Sequence, residues 1–72
     1  MKYNFNSWKR KDLVALLNHS GYSSDDLIDI EYKLTNSHGQ AVFEVYYDEI
    51  GGGLQTGKVY VSIKNGGLVA EF

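Results

Sequence analysis

Cysteine is absent from this 72-residue chain, and so is any pronounced excess of charge of one sign. Without cysteine there is no disulfide framework and no thiolate metal site. A domain this small is usually stapled when it is exported, so a reducing, cytoplasmic setting is expected. The first residues, Met1-Lys2-Tyr3-Asn4-Phe5-Asn6, hold no continuous apolar stretch, and no signal peptide is expected. No apolar run approaches the ~20 residues of a membrane helix, which argues against a membrane partner. The triplet Asn18-His19-Ser20 matches a glycosylation acceptor, but the match has no meaning in a cytoplasmic chain. A net charge of −2 is neither the basic balance of a general nucleic-acid binder nor the strong acidity of a DNA mimic.

What is present is ordinary globular material: 43% hydrophobic and 22% charged residues. A chain of this length buries only about 60% of its unfolded surface, so nearly every large apolar side chain is needed inside one domain spanning residues 1–72. Residues 8–19 read as a helix. Ser7 is the expected N-cap, Leu13, Leu16 and Leu17 recur at helical spacing, and Gly21 supplies a left-handed stop.

The period then changes to two. Ile28, Ile30, Tyr32 and Leu34 alternate with Asp29, Glu31, Lys33 and Thr35, giving a strand with its even positions inward. After the turn Asn36-Ser37-His38-Gly39, a second strand from about Gln40 to Asp48 turns Ala41, Phe43, Val45 and Tyr47 inward. The pairing Leu34–Ala41, Tyr32–Phe43 and Ile30–Val45 satisfies both strands. A third strand, Lys58–Lys64, is joined to a fourth, Gly67–Phe72, by Asn65-Gly66, the residues that a type I′ turn requires. That turn sets Ile63 opposite Leu68, Val61 opposite Ala70 and Val59 opposite Phe72, all apolar and on one face. Asp48–Gly57, with Gly51-Gly52-Gly53, reads as a long flexible connection. The expected fold is α+β, with an N-terminal helix packed on one face of a four-stranded antiparallel meander. Tyr3 and Phe5 also alternate and allow a short extra edge strand.

Candidate chemistry is sparse. Gly52-Gly53-Leu54-Gln55-Thr56-Gly57-Lys58 fits the start of a phosphate-binding P-loop, but Val59 stands where Ser or Thr must hold magnesium, and a strand follows where a helix is needed. A flexible loop is the plainer reading, with a backbone-amide anion nest as the lesser one. His19 and His38 lack metal-ligand spacing, and His19 suits a helix C-terminus. No serine stands in a nucleophile elbow. The carboxylates Asp29, Glu31, Glu44 and Asp48 fall on the outward sheet face, where solvated charge is the default. The chain is therefore expected not to be an enzyme and to carry no cofactor or metal; a small hydrolase ranks third among the readings.

Two surfaces remain. Lys9-Arg10-Lys11 crowds the first helical turn, the end where the dipole disfavours cations. Either the cluster binds an anion, such as a nucleic-acid backbone or a nucleotide, or Asp25, Asp26 or the C-terminal carboxylate neutralises it. The outer sheet face is the other. It presents Val42, Glu44, Tyr46, Tyr60, Val69 and Glu71, with Tyr46 and Tyr60 expected to be exposed neighbours at its centre. Tyrosine within a charged rim is the composition of protein-binding hot spots, although aromatic residues also favour strands for packing alone.

In size, in its lack of catalytic residues and in its tyrosine-rich sheet, the chain resembles small phage-encoded inhibitors of host or defence proteins. That resemblance implies a non-catalytic viral or mobile-element protein acting on another protein through the sheet face or an edge strand. The last strand, Gly67–Phe72, has no lysine or proline to guard its edge, so a homodimer by strand pairing is a further expectation.

Overall fold

The computed structural model describes residues 4–24, 26–49 and 52–72, with Glu49 described by its backbone. After a 3₁₀ turn at Phe5–Ser7, the chain forms α1 (Arg10–His19), β1 (Leu27–Thr35), β2 (Ala41–Glu49), β3 (Gly53–Lys64) and β4 (Gly67–Glu71). The strands make one antiparallel sheet in the order β1-β2-β3-β4, with the helix packed against β1 and β4 across one face. The α+β meander expected from the sequence is the architecture of the chain.

The helix begins two residues later than expected, and its N-cap is Lys9 instead of Ser7. The cause is aromatic. Phe5 and Trp8 pack on Tyr32 and Phe43, with ring centroids 5.1 to 6.2 Å apart, and the 3₁₀ turn brings both over the sheet before the helix starts. Ser7 instead donates its hydroxyl to the Asn4 carbonyl at 2.8 Å. The helix ends as a Schellman motif: Gly21, at φ +92°, donates to the Asn18 carbonyl and Tyr22 to that of Leu17. Phe5 belongs to this turn, not to an added edge strand; Tyr3 lies outside the described residues.

The core under the helix consists of Leu13, Leu17, Leu27, Ala41, Phe43, Val45, Val59, Val61 and Ala70, with Leu16, Ile30, Tyr32 and Leu68 partly buried around it. The pairings Tyr32–Phe43 and Ile30–Val45 are those expected. The ends of β1 are not. Register shifts between Leu27 and Asp29 and between Tyr32 and Leu34 insert a residue at each place. Leu27 thereby takes the inward position expected of Ile28. Leu34 pairs with Val42 on the outer face, not with Ala41, and is 52% exposed.

The β3–β4 hairpin follows its turn. Asn65 and Gly66 have φ +53° and +79°, and Ile63–Leu68 and Val61–Ala70 are paired as expected. Ile63 nevertheless remains 53% exposed, because its end of the hairpin gains no helix cover. Phe72 lies past the end of β4 and sets its ring edge-on to Tyr22 at 5.2 Å instead of pairing with Val59.

The largest departure concerns the glycine-rich segment. From Gly53 on it is strand and not flexible loop: β3 pairs Gly53 with Glu49 and stays in register through Gly57 opposite Val45. Ile50 and Gly51 lie outside the described residues. Gly57 lies close under the Tyr47 ring, which a Cβ there would touch at 3.4 Å. Among the described residues no helix is long and apolar enough to cross a membrane.

Candidate functional site

The P-loop-like stretch is strand from Gly53 to Lys58, paired with β2, and not the loop leading into a helix N-terminus that cradles phosphate. Among the described residues no group of three or more histidine or acidic side chains is placed to hold a metal ion. His38 borders an open depression of about 420 Å³ together with Gln40, Ser62 and Ile63; His19 is exposed at the helix end.

The basic corner is partly spent on the fold. Lys9, Arg10 and Lys11 are all exposed, but Arg10 Nε donates to the Leu27 carbonyl and ties the helix start to β1. The acid meeting this end of the helix is Asp12, whose carboxylate accepts from the Lys9 amide at 2.7 Å and complements the dipole. Asp12 thus fills the role considered for Asp26 or the C-terminus; Asp25 lies outside the described residues.

The outer sheet face carries the richer arrangement. Across β1, β2 and β3 its rows run Asp29–Tyr46–Thr56, then Glu31–Glu44–Lys58, then Leu34–Val42–Tyr60 with Glu71 of β4 beside Tyr60. Val69 lies in the next row, beside Ser62. Tyr46 and Tyr60 are therefore not neighbours. The Glu44–Lys58 row separates them, and Tyr46 lies about 13 Å along β2 from Val42, the partner of Tyr60. Both rings are half-buried instead of freely exposed. Without a register for the β2–β3 pair, the sequence offered nothing to keep the two tyrosines apart.

Around Tyr46 the face is polar and fixed. Glu31 and Glu44 stand directly opposite each other, an unfavourable like-charge pair. Lys33, at the irregularity in β1, relieves it with Nζ 3.2 Å from Glu31 and 3.6 Å from Glu44. The Tyr46 hydroxyl donates to Glu44 at 2.7 Å and lies 3.4 Å from Glu31. That hydrogen bond is the main reason the Tyr46 phenol is pushed up to about 12 and the Glu44 carboxyl held below its usual range. The hydrogen bond to Glu31 is the main cause that raises Lys33 above its ordinary value. Each shift moves its group further from neutrality, so the cluster is a fixed charge pattern and not a proton shuttle poised near pH 7.

Around Tyr60 the face is apolar. Val42 is only 7% exposed although no helix covers it, because Leu34 and Tyr60 flank it across the sheet. Leu34 and Val69, the latter 39% exposed, complete the strip, and Gln40 edges it by donating to Ser62 at 3.0 Å and to Glu71 at 3.5 Å. Leu34 was missed as a surface residue because a bulge leaves no trace in the alternation.

The exposed edge of β4 is partly closed. Alternation from the Lys64–Gly67 turn pair leaves the Ala70 amide pointing away from β3, where it donates to Ser20 Oγ at 3.2 Å. The class of molecule defined here is a small α+β domain with a one-sided sheet. Comparison with protein-family models, curated proteins and solved structures finds no significant match.

Proposed function

We propose that the chain is a small non-catalytic domain that binds another protein through its open sheet face. The observation that carries this reading is the strip Leu34–Val42–Tyr60–Val69, which lies on the face the helix leaves uncovered, beside a rigid set of charges. An apolar centre with a polar rim is the anatomy of a protein interface. Inhibition of a host or defence protein in a cytoplasmic setting is the narrower form of the same proposal. Anion binding at Lys9, Arg10 and Lys11 ranks below it, because Arg10 is engaged with Leu27 and the net charge is −2.

The test compares capture of partners from the native host by the wild type and by Tyr60→Ala, with thermal stability measured alongside. A hot-spot tyrosine gives a loss of about 1–2 kcal/mol in binding with the fold retained. Unchanged capture by the folded variant removes the face from consideration. Titration of a short duplex at two salt concentrations decides the alternative, since binding through lysines falls steeply with salt.

A further inference from the structure

We infer that the partner of this face is a second copy of the same chain, packed sheet on sheet about a two-fold axis parallel to the strands; the inference rests on the binding role proposed for the face.

The argument is one of charge and register. A two-fold axis running between β2 and β3 lays β2 of one copy over β3 of the other, while β1 and β4 meet only in the two rows they share, those of Leu34 and Thr35. Each ladder row then faces itself reversed, as an isologous contact requires. Glu44 faces Lys58 of the second copy, because Glu44 and Lys58 share a row. Val42 faces Tyr60 of the second copy for the same reason. On the same rule Leu34 of β1 faces Glu71 of β4, with Lys33 in the adjoining irregularity of β1. Around the axis the two Glu44 and two Lys58 side chains alternate in sign. A two-fold axis across the strands through this row instead lays every strand on itself and sets Glu31, Glu44 and Lys58 each against its own copy. The charge pattern selects one orientation and opposes the other.

Spacing agrees. Stacked sheets lie about 10 Å apart and within about 30° of parallel, a gap that glutamate and lysine side chains span together. With β2 over β3 across nine rows and β1 over β4 across two, at about 4.8 by 3.3 Å per residue, the contact covers roughly 350 Å² per copy in projection, before side-chain relief is counted. That is below the ~800 Å² per partner of a standard interface, so a weak dimer is expected. Pairing through the β4 edge is less well provided for, since Ser20 already holds the Ala70 amide.

The experiment is sedimentation equilibrium of the full chain, with circular dichroism to confirm folding. The wild type is expected to dimerise with a dissociation constant that rises with salt. Glu44→Lys alone and Lys58→Glu alone each raise that constant at least tenfold, since each sets like charges across the axis. Mixing the two variants restores association as a heterodimer, because every crossing pair is again opposite in sign; changes within either chain are not repaired by mixing. Val69→Arg, at an exposed position, weakens the dimer likewise and serves should a charge variant fail to fold. A wild type that stays monomeric up to about 1 mM overturns the self-pairing. So does a dimer that survives Glu44→Lys and Lys58→Glu unchanged, which assigns the contact to an edge. In either case the broader binding role is judged separately, and it falls if folded Tyr60→Ala captures host partners as the wild type does.

Discussion

The two faces of this sheet are built by the same four strands from alternate residues, yet they solve different problems. On the inner face Phe43, Val45, Val59 and Val61 lie beneath α1 and the Phe5–Trp8 aromatic pair, and all four are fully buried. On the outer face Leu34, Tyr60 and Val69 remain partly open, and the charges beside them are tied to one another. Alternation alone divides a strand into two sets of residues. What differs is that one set is covered by this chain and the other is not.

Stability measurements sharpen the contrast most. Phe43→Ala is expected to cost about 3–5 kcal/mol and Val61→Ala about 1–3 kcal/mol, through lost transfer energy and the cavity left behind. Val69→Ala on the outer face should stay within about 1 kcal/mol, a small fraction of the inner-face cost, because a partly exposed side chain loses few contacts. Urea denaturation of the three variants checks the ranking; a loss at Val69 equal to that at Phe43 would show the outer face to be a second core. The comparison holds at protein concentrations low enough to keep the chain monomeric.

A smaller effect comes with pH. Glu44, held below its usual 4.5, adds stability that is present above that value and lost as the pH falls through its lower value in the fold. Tyr46, raised from 10 to about 12, adds stability that is present below about pH 10 and lost as the pH climbs toward 12. Because the two groups share one hydrogen bond, Tyr46→Phe should flatten both limbs of the stability profile. An unchanged acid limb in that variant would assign the Glu44 shift to Lys33 instead.

How much of this was legible in the sequence follows from what each element depends on. The β3–β4 register was readable because Asn65-Gly66 fixes it locally. The centre of the β1–β2 pair was readable from alternation. Its ends were not, since the irregularities that turn Leu34 outward and bring Leu27 to the core leave no trace in the alternation. Gly51-Gly52-Gly53 looked like flexible chain, but Leu54, Gln55 and Thr56 continue the β3 ladder and carry Gly57 along with them. The Val42–Tyr60 and Glu44–Lys58 rows depend wholly on that hidden register, so the composition of the outer face could be read in advance while its layout could not.

The wiring of the sheet also bears on how the molecule is made. Every strand pairs with its neighbour in sequence, so the sheet assembles through short loop closures that favour rapid folding. One contact is of another kind: Ser20 of the helix end reaches Ala70 of the last strand across 50 residues. A closure of such sequence separation is expected to form late, after the folding barrier. Its loss is then expected to speed unfolding more than it slows folding. Stopped-flow measurement on Ser20→Ala should show faster unfolding with an unchanged refolding limb, and slowed refolding would place the helix in the nucleus. The residue that closes the sheet edge is on this expectation also one of the contacts that slow the opening of the folded chain.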